Sequence, residues 1–470
     1  MAAIRFICGE AKRGPFPRRQ ESLGCTAMTS RAASFSPVAA ARALGLYLRP
    51  RPLAAFLLGI SSGFPLTLLL ATMTYWLSKV GVDKKTIGFA VGLTTPYTLK
   101  FLWSPLIDRL RLPVLDGLLG QRRSWLFLVG LLLIGALWQL GHSDPVHELG
   151  RFATWAIIVS FLSATQDIVI DAYRIEILPP DQLAHGTALN QFGYRTGNLL
   201  AGAGTVWLAT QHGWAAAYSV TGLLVLCGLV AAIWAGDTAH SKTVAEAPRS
   251  GEPVSARLGR WLNDTLVGPF AEFFRRNGPW GALLILGFVL IYKLGDAMAN
   301  VMLSPLIVEL GFTDEEYIAA NKLVGFWALI AGTALAAPFL SLVGMGRALI
   351  ITGVLMMVTN LGFAFLAMTG NDPVVLGLAI GLENFCSGLG LTVFVTYLSG
   401  LANVSYTATQ FALLSSLAAV GRTWLSAPSG YLAESLGWVG FYVFTTIIAL
   451  PGLLLLWLIW RRRDARAATA

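Results

Sequence analysis

The chain has 470 residues, of which 55% are hydrophobic and only 13% charged, with a mean hydropathy of +0.65. A soluble domain carries about 25% charged residues, so the solvent for most of this chain is lipid. The net charge of +9 does not point to nucleic acid, because the basic residues sit mainly in tails and particular loops. The four cysteines (Cys8, Cys25, Cys227, Cys386) have neither zinc-site nor disulfide-framework spacing and are expected as free thiols.

A spanning helix needs about 20 mostly apolar residues. Windows of that size predict an all-α membrane protein with twelve spans, at 53–78, 86–107, 123–141, 152–177, 185–210, 214–235, 279–303, 317–342, 348–369, 374–400, 406–433 and 438–460. Turn residues separate them, such as His142-Ser143-Asp144-Pro145 and Gly370-Asn371-Asp372-Pro373. Residues 1–51 read as a basic, disordered tail, or as an over-long start with Met28 as the alternative initiator. The polar stretch 236–277 divides the spans six and six, so 52–235 and 278–460 form two halves and 461–470 a basic C-terminal tail. The stretch itself reads as a cytoplasmic linker with a surface helix near 258–276. With both termini inside, 24 of the 34 Lys and Arg residues fall on the cytoplasmic side, which predicts a multi-pass protein, N-in and C-in.

The halves echo each other. Gly193-Tyr194-Arg195-Thr196 in the fifth span matches Val420-Gly421-Arg422-Thr423 in the eleventh, and Gln166-Asp167 in the fourth matches Glu383-Asn384 in the tenth. Such matches suggest two pseudo-symmetric six-helix repeats.

Charges within spans are costly and tend to mark transport paths or ion pairs. Asp167, Asp171 and Arg174 stand at i, i+4 and i+7 and share one helix face. Asp171 and Arg174 read as a structural ion pair, or as transport and gate residues. Asp167 lacks a local basic partner apart from Arg174 on its face, and is the better candidate for proton coupling or substrate contact. Glu176 projects to the opposite side and reads as interfacial. Gln191, Tyr194, Arg195 and Asn198 form a polar stripe on the fifth span, either helix–helix glue or a lining for substrate. Lys293 and Asp296, at i and i+3, either neutralise each other or form a protonation-sensitive pair. Glu383 sits near mid-span without a cation on its own helix, as a proton carrier requires, beside Asn384. Lys100 and Arg422 are the remaining cations, free to pair with these acids or to bind an anionic substrate. No Walker loop, catalytic cluster or metal-ligand spacing is present, so neither an enzyme nor a metal or cofactor site is expected.

Asp108-Arg109 followed by Gly120-Gln121-Arg122-Arg123 resembles the loop motif of the major facilitator superfamily, whose usual role is a cytoplasmic hinge and gate. Phe101–Arg109, Gln166–Arg174 and Thr407–Ser415 with Gly421-Arg422 resemble, in that order, the AmpG-type muropeptide permeases of that superfamily. The resemblance runs from about residue 52 to 460; Tyr173 replaces a frequent tryptophan, and some members carry two further spans.

The resemblance implies a major facilitator fold in a bacterial inner membrane. It implies import of anhydromuropeptides for peptidoglycan recycling, which in some bacteria bears on β-lactam resistance. Import would be driven by the proton gradient with no cofactor. The implied partners are a glycopeptide substrate, protons and the lipid bilayer, and a monomer is expected. Onto this chain it carries Gln166, Asp167 and Asp171 as the leading transport residues; read from the residues themselves, Asp167 and Glu383, with Asp296 behind them, are the candidates for proton coupling. The candidate substrate-binding residues are Gln166 and Asp171 from the resemblance, Gln410 from the resembling segment, and, from their polar or charged side chains within spans, Gln191, Tyr194, Arg195, Asn198, Lys100, Lys293, Asn384 and Arg422. The loop motif carries Asp108, Arg109, Arg122 and Arg123 as a gate, and Arg174, toward the cytoplasmic end of its span, is grouped with them. The alternative is a major facilitator transporter of another solute, such as an acyl-CoA or a sugar.

Overall fold

The computed structural model describes residues 45–82, 92–93, 95–236 and 267–469. The tail before residue 45 with Met28, the start of the second expected span, and most of the expected linker lie outside the described residues. Within them the fold is all-helical, with no strand.

Nine helical runs among the described residues are long and apolar enough to cross a membrane. They are α1 (Pro50–Lys79), α3 (Gln121–Gly141), α4 (Leu149–Ile177), Leu183–Ala235, α8 (Pro279–Glu309), α9 (Glu315–Val343), α10 (Met345–Thr369), α11 (Pro373–Leu401) and α13 (Ser429–Arg462). The run Leu183–Ala235 is broken by Gly213, at φ 81° and ψ 165°, into α5 (183–212) and α6 (214–235). Only glycine takes that backbone without strain. Gly437, at φ 66° and ψ 167°, breaks α13 in the same way. Three further elements bear on the site. The pieces Thr95–Leu99, Lys100–Leu102 and Ser104–Arg109 make up α2 (95–109). Gly268–Asn277 forms α7, and Thr407–Trp424 forms α12. The last helix runs on to Thr469, through residues the hydropathy pattern leaves as a tail.

Small residues bring the helices together. A Cβ at Gly193 would run into the Phe56 carbonyl, one at Gly197 into the Ile60 carbonyl, and ones at Gly59 and Gly63 into the backbone of Asn190 and Tyr194. Helices α1 and α5 therefore touch backbone to backbone, as spanning helices do where van der Waals packing replaces the hydrophobic drive. Gly332 and Gly388 do the same between α9 and α11, and Gly421 sets α12 against the Leu290 carbonyl of α8. Pro65, which has no N–H to donate, precedes a π turn at Leu68–Thr72, and α5 has its own at Leu200–Gly204. The two turns meet where Thr72 donates to the Ala201 carbonyl at 2.7 Å.

One apolar core draws on residues 54–232 with Ala408 and Ala412, and two more draw on residues 273–459. Outward-facing Leu131, Leu132, Trp207, Trp280, Trp327 and Phe365 are more than half exposed. A surface of that kind is stable in lipid and would aggregate in water.

Candidate functional site

The polar side chains inside the bundle gather in three places. The first is a buried charge cluster between α2 and α4. Lys100 Nζ lies 2.6 Å from Asp167 Oδ2 and 3.7 Å from Asp171 Oδ2. Asp167 also accepts from the Ser62 hydroxyl of α1 at 2.5 Å. The sequence leaves Asp167 without a local cation; its partner comes from another helix, which spacing along α4 cannot reveal. Asp171 pairs with Arg174 at 3.4 Å, the spacing expected for i and i+3. Arg174 is fully buried and also donates to Thr187 of α5 at 3.0 Å and Ser399 of α11 at 3.3 Å, with its guanidinium over the Phe411 ring. Gln166 donates to Ser61 of α1 at 2.7 Å.

The second place is a cavity of ≈ 430 Å³ lined by Arg195 of α5, Lys293, Asp296 and Asn300 of α8, Glu383, Asn384 and Ser387 of α11, and Arg422 of α12. Lys293 and Asp296 pair at 3.2 Å. Glu383 is 2% exposed and accepts from the Asn300 amide at 3.0 Å. The Asn384 amide bonds back to the Ile380 carbonyl of its own helix. Tyr194 lies between these two centres: its electrostatic neighbours are Asp167 and Lys100 on one side and Arg195 and Arg422 on the other.

The third place is at the end of the bundle where α2 stops and α3 begins. Arg122 donates to Asp108 at 2.6 Å and to Glu176 at 2.8 Å. Asp108 in turn accepts from the backbone N–H groups of Ala408 and Thr409, at 3.1 and 2.8 Å, and from the Thr409 hydroxyl at 2.6 Å. It thus caps the N-terminus of α12, where backbone donors and the helix dipole both favour a carboxylate. Arg109 donates to the Tyr406 hydroxyl at 3.3 Å. Gly120, at φ 79° and ψ 159°, starts α3 and lets Gln121 reach back to the Asp108 carbonyl at 2.9 Å.

Several residues stand elsewhere than the sequence suggests. Glu176, expected at the interface, has a side chain only 3% exposed that completes the Arg122 triad. Gln410 is not among the cavity-lining residues. It donates to Glu272 at 2.6 Å and to the Pro269 carbonyl, and accepts from the Asn403 N–H at 2.7 Å, which fastens α7 to the start of α12. Asn198 accepts from Thr67 of α1, and Gln191 is half-buried outside the cavity lining. The Arg123 Nε is buried with no hydrogen-bond partner among the described residues. Glu272, Arg276, Asn403 and Thr409 escape sequence reasoning because their roles lie in contacts between elements: Glu272 and Arg276 on α7 and Asn403 before α12 meet Gln410, and Thr409 meets Asp108. Among the described residues there is no cluster of His, Cys, Asp or Glu able to hold a metal ion.

Residues 55–426 match the model of the Major Facilitator Superfamily. The chain is 36% identical over 415 residues to the anhydromuropeptide permease of Escherichia coli strain K12, covering 88% of this chain and 80% of that protein. Among solved structures, the proton:xylose symporter XylE bound to 6-bromo-6-deoxy-D-glucose superposes with a TM-score of 0.61 at 15% identity, over 87% of this chain and 94% of that one. The human organic anion transporter MFSD10 superposes with a TM-score of 0.58 at 17% identity, over 90% and 100%.

Proposed function

Because the chain belongs to the Major Facilitator Superfamily, in its AmpG-type group of muropeptide permeases, we propose that it imports anhydromuropeptides for peptidoglycan recycling, coupled to inward proton flow. The cargo is N-acetylglucosaminyl-1,6-anhydro-N-acetylmuramic acid with or without its peptide, and the location is a bacterial inner membrane. The protein is a transporter and not an enzyme.

The observation that carries this reading is the mixed lining of the ≈ 430 Å³ cavity. Its volume falls in the range of about 300–1,000 Å³ usual for small-molecule sites. Amides and a hydroxyl from Asn300, Asn384 and Ser387 suit sugar hydroxyls and acetamido groups, and the cations suit carboxylates. An acidic glycopeptide needs both.

In this reading twelve spans form two six-helix halves, 52–235 and 278–460, with both termini in the cytoplasm and the protein acting as a monomer. The matched glycine breaks at Gly213 and Gly437 and the equal 29-residue lengths of α4 and α11 support the repeat. The halves rock about the cavity. The contacts of Asp108, Arg109, Arg122 and Arg174 close the cytoplasmic side and must part for release inward.

Protons enter through Asp167, Glu383 and Asp296, and no cofactor takes part. Protonating Asp296 would release Lys293 from its 3.2 Å partner and leave the cavity more positive as an acidic substrate arrives.

Uptake of labelled anhydromuropeptide by proteoliposomes, with and without an inward proton gradient, tests the reading. Accumulation above the outside concentration only with the gradient is expected. Uptake indifferent to the gradient removes the proton coupling. No uptake by correctly inserted protein removes the substrate.

A further inference from the structure

The three cations of the cavity do not stand alike. Lys293 is held by Asp296. Neither the Arg195 nor the Arg422 guanidinium makes a salt bridge or a side-chain hydrogen bond among the described residues, although both line the same cavity. Each lies in the other's repulsive field, with Tyr194 and Glu383 as further neighbours of Arg195. Arg195 is half-buried and Arg422 exposed; like charges that line one cavity with no acid fastened to either form an arrangement that an anion completes.

Their mounting is rigid. Arg195 lies between Gly193 and Gly197, the residues that press α5 against the backbone of α1. Arg422 follows Gly421, which presses α12 against α8. The backbone at both arginines is thereby fixed by its packing, so an anion has only the side chains left to order. A guanidinium fork matches a carboxylate with two parallel hydrogen bonds, and a carboxylate has acceptor sites for two forks. The two arginines come from opposite sides of the chain, one before residue 236 and one after residue 267.

We propose that Arg195 and Arg422 form a two-sided clamp for one carboxylate of the cargo. Binding of that carboxylate ties α5 to α12, and the protein selects cargo by negative charge as well as by its sugars. This deepens the import reading and rests on it. The lactyl carboxylate is free in the bare disaccharide, and when it is amidated the stem peptide brings carboxylates of its own. Every form of the cargo therefore supplies an anion, whereas an uncharged disaccharide leaves the clamp empty.

The test is proteoliposome uptake of the disaccharide with a free lactyl carboxylate, compared with its lactyl carboxamide. Wild-type protein is expected to favour the acid by at least about tenfold. Arg195→Gln and Arg422→Gln should each lose most of that preference, and Arg422→Lys, which keeps the charge without the fork, should retain an intermediate part. Equal uptake of acid and amide by wild-type protein overturns the clamp and leaves the import reading standing. A preference that survives both Gln variants does the same. Uptake of neither form overturns both. If the Gln variants do not elute as folded protein, the wild-type comparison and Arg422→Lys decide.

Discussion

At the scale of single residues, Asp167 illustrates how a partner changes the meaning of a charge. Along α4 it has no cation within one turn, yet Lys100 reaches it at 2.6 Å from α2 and Ser62 from α1. Removing one member of a buried ion pair costs about 3–5 kcal/mol when the other charge is stranded. Asp167→Asn is milder, because its amide oxygen still accepts from Ser62 and Lys100 keeps Asp171 at 3.7 Å. The expected outcome is protein in the membrane at near-normal yield with gradient-driven accumulation abolished. Accumulation at the wild-type level, measured in the same proteoliposomes, removes Asp167 from the proton path. The acids were legible in the sequence as costly charges in apolar spans. Their partners were not, since an ion pair between α2 and α4 depends on how the helices lie against each other. Glu176 shows the same limit: its place on the helix suggests an interfacial group, and only Arg122 on α3 shows why it is buried.

At the scale of elements, close backbone contact and one borrowed cap set the geometry. Gly193 leaves no room for a side chain beside the Phe56 carbonyl. Overpacking usually costs about 1–3 kcal/mol, and here backbone rather than a flexible side chain would have to move. Gly193→Leu should therefore lower the yield of folded protein severalfold, read by fluorescence-detected size exclusion; an unchanged monodisperse peak would count against the α1–α5 contact. The N-terminus of α12 has no cap of its own at Tyr406 and takes Asp108 instead. Loss of an N-cap costs about 0.5–2 kcal/mol, enough to shift an open–closed equilibrium about 2- to 30-fold. Asp108→Ala should speed labelling of a single cysteine placed at the buried Ser399 by a factor in that range. A labelling rate equal to that of the parent protein would deny Asp108 its part in the gate.

At the scale of the molecule, the hydrogen bonds of Tyr47 to Ala334, Asp108 to Thr409, Arg109 to Tyr406 and Arg174 to Ser399 join residues 45–236 to residues 267–469. They lie toward the end where α3 begins and α11 ends. If the halves rock, these contacts part in every cycle. Cysteines at Arg109 and Tyr406, in a background without Cys8, Cys25, Cys227 and Cys386, should be joinable by a short bifunctional reagent. Joining them should stop uptake, and a cleavable reagent should restore it on cleavage. Undiminished uptake by fully joined protein would rule out parting at this place.

The sequence by itself determined that this chain belongs in lipid, that it is helical, where most helices run, and which family it joins. Those properties are local: hydropathy over about 20 residues selects a spanning helix, and glycines that interrupt a run act through their own backbone. The loop motif at Asp108–Arg123 was legible for the same reason, as a contiguous string. Only the tertiary structure decided that Lys100 pairs with Asp167, that Gln410 fastens α7 instead of lining the cavity, and that Arg195 and Arg422 line one cavity with no acid fastened to either. Charges find partners through space, and helical period records only which face a side chain leaves by, not which helix it meets.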